Sequence, residues 1–399
     1  MPYPGICVYG KEFRFSVTLT EIISRLVSLL GLPKWIVQPA VAAVAAAIIL
    51  TFILLTVLFL IYALRRVLGF IQSRLGPNRV GPEGSLQTVA DALKLFFKED
   101  ITPASADRIV FLLAPIIAFI PAFLVYVVIP FGPTWIAKDL NIGIVYISAI
   151  TSVTVIGIIS GGWASNNKYA LLGAMRSAAQ MVSYEVPLVL TMLAPVVLVQ
   201  SLSTQTIVEA QRTLGWFILF QPIAFLLHFT AGLAEINITP FDIVEAESEL
   251  VAGFHVEYSG MKFALFFLAE FANSFTMAAI SATLFLGGWL SPFGISGGPW
   301  WMRPLADGPH WFFIKSFALV FVTMWVRGTL PRVRVDQLMD LGWKALIPLS
   351  IANLIVNALV VATGASLWIL AVVNWIPLAG AVALGLATRS IPRAMRAPR

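Results

Sequence analysis

Nine apolar stretches, separated by polar segments, dominate the hydrophobic pattern of the chain. A helix crosses a bilayer with about 20 apolar residues, because each residue adds about 1.5 Å against about 30 Å of hydrocarbon. The pattern therefore predicts an all-α polytopic membrane protein with about nine transmembrane helices. The predicted spans are 39–63, 109–130, 142–162, 172–200, 214–234, 262–289, 311–328, 345–362 and 366–387.

Two further segments carry one apolar and one polar stripe, which predicts amphipathic interfacial helices. The first covers residues 18–31. The second follows the first span, where Ser85 is a suitable N-cap for a helix from Leu86 to about Lys98. Its apolar residues recur at helical spacing opposite Asp91 and Lys94. It should lie along the membrane surface beside a ligand entry, and an ordinary surface helix with snorkelling lysines is the alternative.

The distribution of basic residues predicts how the chain crosses the membrane. Placing the loops after the odd-numbered spans and the C-terminal tail on one side gathers 18 of the 26 lysines and arginines there. Basic residues are retained in the cytoplasm, so the N-terminus should lie outside and the C-terminus inside the cell inner membrane. We expect an N-terminal surface segment 1–37, a core 38–362 with cytoplasmic loops 65–108, 163–171, 235–261 and 329–344, and an extra C-terminal span with a basic tail, 363–399.

Composition excludes several classes of function. Only 12% of the residues are charged, where a soluble domain carries about 25%. The scattered basic residues form no patch for nucleic acid. One cysteine and three histidines without metal-ligand spacing predict no metal site and no redox cofactor on this chain. No phosphate-binding or dinucleotide motif is present either, so any redox centre should belong to a partner chain.

Carboxylates in and near the predicted spans are the candidate chemistry. Seven of the twenty acidic residues lie between Ala234 and Glu270, among apolar and aromatic neighbours. Burial and like-charge crowding raise the pKa of carboxyl groups, and chains of such acids are typical of proton relays; a solvated acidic loop is the alternative. Glu185 and Glu270 lie inside apolar runs, where a charge costs about 2.5 kcal/mol or more. His228, also inside a span, is interpreted as a packing residue.

Four long motifs are spread in order along the chain, at residues 74–99, 160–185, 234–270 and 327–344. They read RLGPNRVGPEGSLQTVADALKLFFKE, SGGWASNNKYALLGAMRSAAQMVSYE, AEINITPFDIVEAESELVAGFHVEYSGMKFALFFLAE and RGTLPRVRVDQLMDLGWK. Together they resemble the signatures of the quinone-site membrane subunit of respiratory complex I, the proton-translocating NADH:quinone oxidoreductase. This is the H subunit of the bacterial enzyme and subunit 1 of the mitochondrial one. Strings of this length are far more specific than a short motif.

The resemblance implies a membrane subunit that forms a quinone-binding chamber with the peripheral arm and couples quinone reduction to proton translocation. Quinone, ubiquinone or menaquinone, is then the substrate. NADH, flavin and iron–sulfur clusters belong to partner subunits. The implied partners are the quinone-site and iron–sulfur subunits of the peripheral arm, the other membrane subunits and membrane lipid.

The resemblance also assigns roles to individual residues of this chain. Those implied to border the quinone passage are Arg65, Arg74, Asp91 and Lys94. Those implied to relay protons are Glu185, Glu235, Glu247, Glu249, Glu257 and Glu270, with Arg327 and Arg332 as their basic partners. Three departures stand out: Leu64 replaces an acid, Ile238 replaces an arginine, and an apolar run continues beyond about residue 365. The first two alter the electrostatics expected around the carboxylates.

Three other functions are alternatives. The membrane subunit of an energy-converting hydrogenase shares the architecture without serving a quinone, but the full first motif favours the quinone enzyme. A stand-alone proton or sodium carrier would use Glu185 and Glu270 as coupling sites, but the chain shows no internal repeat and has long patterned loops. A structural anchor is the third alternative, which the cost of buried acids argues against.

Overall fold

The computed structural model describes residues 34–243, 252–294 and 305–390, with side chains described from residue 37 to residue 380 within these ranges. Several predictions fall outside the described residues. They are the amphipathic helix at 18–31, the relay acids Glu247 and Glu249, and the end of the basic tail.

All regular secondary structure in the described ranges is helical. The helices are α1 Lys34–Ile71, α2 Gln87–Phe97, α3 Arg108–Leu124, α4 Gly143–Ala164, α5 Lys168–Val199, α6 Thr204–Leu214, α7 Phe217–Phe220, α8 Pro222–Glu235, α9 Gly260–Phe285, α10 Pro309–Thr329, α11 Val335–Asp340, α12 Ile347–Ala362 and α13 Leu367–Ser390. Short 3₁₀ turns lie at Pro82–Gly84, Val125–Val127 and Gly253–His255, and a π-helical turn at Leu341–Leu346 joins α11 to α12.

Seven helical segments of the described chain are long and apolar enough to cross a membrane. They are Val37–Ile71, Arg108–Val127, Gly143–Ala164, Lys168–Val199, Gly260–Phe285, Pro309–Thr329 and Val335–Ala362. Two shorter apolar helices, Pro222–Glu235 and Leu367–Gly380, lie where the fifth and ninth spans were predicted. The prediction of an all-α polytopic membrane protein is confirmed.

The fifth predicted span, 214–234, is not one helix. Gly215 has a φ of 93°, which ends α6. The short helix α7 ends at Phe220, and Gln221 is its C-cap. Pro222 starts α8, because a residue without an N–H fits the first turn of a helix but not its middle. The Ser203 hydroxyl caps α6, a separate amphipathic helix that the hydrophobic pattern did not reveal.

The eighth span begins earlier than predicted, at Val335 instead of about residue 345. It runs through the π-helical turn, where Gly342 packs against the ring of Tyr184. The Tyr184 hydroxyl donates a hydrogen bond to the Leu338 carbonyl over 2.8 Å. This bond from another helix satisfies a carbonyl next to the irregular turn, which is how such turns are tolerated inside apolar surroundings.

The predicted N-cap of α2 is wrong. The helix begins at Gln87 with no side-chain cap, and the Ser85 N–H closes a turn on the Pro82 carbonyl over 3.1 Å. Gly84, at φ 75°, lies so close to Pro77 that a Cβ would stand 2.3 Å from its carbonyl oxygen. This close approach folds the loop tightly, so the turn takes the position where a capping serine was expected.

The loops after the odd-numbered spans lie on one side of the molecule, where they contact one another. The contacts are hydrogen bonds from Asn166 Nδ2 to the Ser105 carbonyl (3.2 Å), from Lys262 Nζ to Thr102 Oγ1 (3.1 Å) and from the Val333 N–H to the Pro240 carbonyl (2.9 Å). The fold therefore gathers the four long motifs at one end of the helix bundle.

Candidate functional site

A cleft of about 700 Å³ lies between α1, α2 and α9. One face of α1 lines the cleft. Its residues, at spacings of three and four, are Leu50, Leu54, Leu58, Ile61 and Arg65. Residues of α9 and Phe119 of α3 form the opposite wall. The walls are almost wholly apolar, and the charged side chains collect at the end where α2 covers the cleft.

Three of the four residues expected at the quinone passage line this cleft: Arg65, Asp91 and Lys94. Arg65 Nη1 and Asp91 Oδ2 are 2.5 Å apart. Gln87 Nε2 donates to the other oxygen of Asp91 over 3.2 Å. Lys94 is exposed at the same edge. Arg74 is exposed in the preceding turn and is not among the lining residues of the cleft.

The loop between α1 and α2 is fastened to the end of α1, which holds α2 over the cleft. Arg66 Nη2 and Glu83 Oε2 form an ion pair at 2.8 Å. The Glu83 carbonyl also accepts hydrogen bonds from Tyr62 and from Arg66. These contacts explain why the glycine- and proline-rich motif after the first span folds as a compact turn.

Three small cavities lie in a row behind the cleft. The largest, about 60 Å³, is bordered by Glu235, Glu270 and Asn273 among others. It shares Glu235 and Asn273 with a second cavity of about 40 Å³, and Glu270 with a third of about 10 Å³ that ends at Arg327. A cavity of roughly 10–15 Å³ holds one water, so the two larger ones have room for several.

Two aromatic rings separate the large cleft from the carboxylates. Phe263 and Phe267 of α9 line both the cleft and the 60 Å³ cavity. The apolar cleft and the cavity that contains the carboxylates are thus neighbouring compartments with a common wall one side chain thick.

The described relay acids have different partners. Glu270 Oε1 lies 3.8 Å from Arg327 Nη1. Glu257 Oε1 accepts a hydrogen bond from Asn167 Nδ2 over 2.6 Å. Glu185 interacts with the Ser152 hydroxyl and lies near enough to Glu235 for their charges to repel.

Arg332 contacts an acid that the relay assignment left out. Its Nη2 lies 2.8 Å from Oδ2 of Asp242, whose side chain is 7% exposed. Asp242 is one of seven clustered acids, and nothing in its spacing distinguishes it from the others. The hydrogen bond between Val333 and Pro240 brings these two loop segments together, a long-range contact that local patterns do not encode.

The two substitutions that depart from the family pattern lie together. Leu64 of α1 and Ile238 of the loop after α8 both line the 10 Å³ cavity beside Glu270 and Arg327. The Glu270–Arg327 pair therefore has the apolar side chains of Leu64 and Ile238 as neighbours in this cavity.

The loop after α8 adds two buried titratable groups to the cavity region. Burial lowers the pKa of His255 to about 4, although the nearby Asp242 charge opposes the shift. Burial also raises the pKa of Tyr258, whose ring stacks on Phe111 with 4.0 Å between centroids. Both groups are therefore neutral at pH 7. Throughout the described ranges, no three histidine, cysteine, aspartate or glutamate side chains come together as a metal site.

Comparison with known proteins agrees with this architecture. The sequence model of a family described as NADH dehydrogenase matches residues 44–358. The H subunit of NADH-quinone oxidoreductase from Geobacillus kaustophilus is 52% identical over 315 residues, which cover 79% of this chain and 92% of that protein. The H subunit from Dehalococcoides mccartyi strain CBDB1 is 52% identical over 78% of this chain and 84% of its own length. The first of the H subunits from Geobacter sulfurreducens is 48% identical over 84% and 98%, respectively. The chain therefore belongs to the NADH dehydrogenase family, as a membrane subunit of the complex I type of NADH-quinone oxidoreductase.

Proposed function

We propose that this chain forms the membrane wall of a quinone-binding chamber and couples quinone reduction to proton translocation through its buried carboxylates. One observation carries the proposal. A large apolar cleft with a charged end shares the Phe263 and Phe267 wall with a cavity that contains Glu235 and Glu270.

The cleft suits a molecule with a polar ring and a long apolar tail. Ligand sites are typically concave and apolar with a few polar groups that fix orientation. From Leu50 to Arg65 the lining face of α1 extends over fifteen residue steps, or about 22 Å at 1.5 Å each. The tail of a quinone would lie along this face, and its head group would point to the end that carries Arg65, Asp91 and Lys94.

Quinone reduction changes charge beside the carboxylates. Quinone takes up two electrons, supplied by an iron–sulfur cluster of a partner subunit, and two protons to give quinol. A unit charge about 10 Å away contributes about 1.7 kcal/mol at an effective dielectric constant of about 20. One pKa unit corresponds to about 1.4 kcal/mol, so one such charge changes the protonation ratio of a neighbouring carboxyl group about tenfold.

The carboxylates would then pass protons along the row of cavities. Their positions support this role because Glu235 and Glu270 each border two neighbouring cavities. Glu185 interacts electrostatically with Glu235, which borders this row. Glu257 belongs to the loop after α8, where it accepts a hydrogen bond from Asn167. The proposal also includes Glu247 and Glu249 of that loop. Arg327 would stabilise the ionised form of Glu270, and Arg332 that of Asp242 beside the relay.

The remaining assignments follow from the same proposal. NADH, flavin and iron–sulfur clusters would be bound by partner subunits, and the peripheral arm would contact the loops at 65–108, 163–171, 235–261 and 329–344. These loops would face the cytoplasm, with the N-terminal segment 1–37 outside and the additional span and tail, 363–399, ending inside. A topology reporter fused after Arg399 should be active in the cytoplasm, and activity only outside it would contradict the orientation.

A photoreactive quinone analogue tests the proposal in the assembled complex. Label should appear on the cleft faces of α1 and α9, and excess natural quinone should suppress it. Label confined to residues outside the cleft would contradict a quinone chamber here. Identification of the copurifying chains distinguishes the alternatives, because a hydrogenase large chain in place of the NADH-oxidising arm would overturn the assignment.

A further inference from the structure

Three polar side chains lie two helical turns apart along α8: Gln221 immediately before the helix, His228 within it and Glu235 at its end. A spacing of seven residues places side chains on the same face of a helix, about 10 Å apart along its axis. Gln221 and His228 are fully buried. Each of the three has one buried atom without a hydrogen-bond partner among the described residues: Gln221 Oε1, His228 Nε2 and Glu235 Oε2.

The hydrogen bonds around His228 identify its tautomer. The Thr191 hydroxyl donates its proton to the Leu188 carbonyl over 2.7 Å. The same oxygen lies 3.2 Å from His228 Nδ1, so it must accept the hydrogen bond from an Nδ1–H. Nε2 of the neutral ring is then the nitrogen with the free lone pair. The structure thus places an imidazole nitrogen with an unused lone pair inside the helix bundle.

The three atoms without partners make this face of α8 costly to bury dry. A buried polar atom without a partner costs about 1–3 kcal/mol, and here three such atoms follow one face of one helix. Water is the smallest ligand that satisfies all three, because it donates to Gln221 Oε1 and His228 Nε2 and can donate to or accept from Glu235.

Of the three side chains on this face, Glu235 borders a cavity. The 40 Å³ cavity begins at Glu235 and extends to Leu188 and Met192 of α5, the residues on either side of Thr191. Its volume suits two or three waters at roughly 10–15 Å³ each. The cavity thus leads from the relay carboxylate toward the helical turn that orients His228.

We propose that ordered waters along this face of α8 connect Glu235 to His228, and that His228 is a further proton-accepting group, deeper in the membrane than the carboxylates. This inference rests on the proposed function, since it extends the same relay. The step is a simple proton transfer: the carboxylic acid of Glu235 gives its proton to the waters, His228 Nε2 accepts one, and the products are a carboxylate and an imidazolium. No electron moves. Gln221 orients water at the far end and carries no proton itself.

Substitutions in the assembled complex test the inference by function. His228→Gln keeps hydrogen bonding but cannot be protonated at neutral pH, and it should reduce proton translocation per NADH oxidised while electron transfer to an artificial acceptor stays at the parental rate. His228→Leu should have the same effect. Thr56→Val, which removes a buried hydroxyl on α1 that lines none of these cavities, is the control and should behave like the parent.

Glu235→Gln separates the two proposals. If Glu235→Gln impairs translocation and a fully assembled His228→Gln does not, the inference fails and the carboxylate relay stands. If neither variant changes proton translocation, the proposed function fails as well. Should His228→Leu prevent assembly, His228→Gln alone decides.

High-resolution density for the assembled complex gives a readout independent of activity. An ordered water within about 3 Å of His228 Nε2 is expected. A dry, apolar contact at Nε2 would overturn the inference.

Discussion

Arg65 of α1 and Asp91 of α2 form an ion pair, with 2.5 Å between Nη1 and Oδ2, at the charged end of the large cleft. Their side chains are 43% and 35% exposed, and ion pairs of such exposure contribute at most about 1 kcal/mol to stability. The pair therefore adds little to folding. Its place at the end of the cleft agrees with the proposed quinone passage.

Removal of the Asp91 charge should impair quinone use without harming assembly. Asp91→Asn leaves Arg65 without its carboxylate partner, so quinone-linked NADH oxidation should fall while electron transfer to an artificial acceptor is retained. Asp340→Asn is a matched control, since it breaks an exposed ion pair with Lys344 that does not line the cleft. Parental quinone-linked oxidation in Asp91→Asn would contradict a role in the quinone passage, whereas equal loss of both activities would indicate failed assembly.

A bulky residue in the apolar wall should compete with the quinone tail. Leu58 lines the cleft, whereas Leu55, on the same helix, is 62% exposed on the outer surface. Leu58→Trp should raise the KM for a long-tailed quinone and leave that for a short-tailed analogue nearly unchanged, because only the tail reaches this depth. Leu55→Trp should alter neither constant. A similar response in both variants would place the tail elsewhere.

Buried His255 should make the complex less stable in mild acid. Its pKa is about 4 in the folded chain against 6.5 for an unburied histidine, so folding favours the neutral ring. This contribution is complete above pH 6.5 and is lost as the pH falls toward 4; between pH 7 and pH 5.5 the loss is about 1 kcal/mol. Thermal unfolding of His255→Phe should therefore depend less on pH than unfolding of the parent. Identical pH dependence would show that burial of His255 does not govern its protonation.

The C-terminal helix is joined to the core by polar contacts inside the bundle. Asn353 Nδ2 donates to Asn374 Oδ1 over 2.8 Å, and Asn357 Nδ2 donates to Asn353 Oδ1 over 2.9 Å. Trp375 Nε1 donates to the Leu219 carbonyl over 2.8 Å, beside the break before α8. Although the family match stops at residue 358, α13 is thus a packed part of this molecule.

Loss of the Asn374 side-chain amide should loosen that helix. Interhelical hydrogen bonds in membranes contribute about 0.6 kcal/mol on average and at most about 1.7 kcal/mol, so Asn374→Leu should lower the thermal stability in detergent modestly. Proteolysis of the tail should also become faster. Ile376→Ala, at a site 65% exposed, should have little effect. An unchanged rate of proteolysis in Asn374→Leu would contradict a polar anchor.

The sequence predicted the membrane helices well because the length of an apolar run is a local property. The break before α8 was missed because Gln221 and Pro222 lie within a long apolar stretch. The hydrophobic pattern does not distinguish a helix that starts there from one continuous span. The early start of the eighth span depends on the Tyr184 hydrogen bond to Leu338, 154 residues away, which no local pattern contains.

The candidate site was predicted only in part, for the same reason. The family resemblance indicated Arg65, Asp91 and Lys94, which the fold brings to one cleft, but not the Phe263 and Phe267 wall, because aromatic residues are common in apolar helices. The sequence indicated a packing role for His228. In the structure Nδ1 contacts Thr191, 37 residues earlier, and Nε2 has no hydrogen-bond partner among the described residues. The spacing of residues along the chain contains no information about such a missing partner.

The central claim is that buried carboxylates couple quinone chemistry to proton movement. Its most direct test is proton translocation per NADH oxidised, measured in vesicles that contain the fully assembled complex with Glu185→Gln or Glu270→Gln. Glu209→Gln is the control, since that acid pairs with Arg212 at 3.3 Å outside the cavity row. Glu185→Gln and Glu270→Gln should lower quinone turnover and proton translocation together, while their artificial-acceptor activity and all activities of Glu209→Gln stay at the parental level. Parental translocation and turnover in both Glu185→Gln and Glu270→Gln would contradict this coupling.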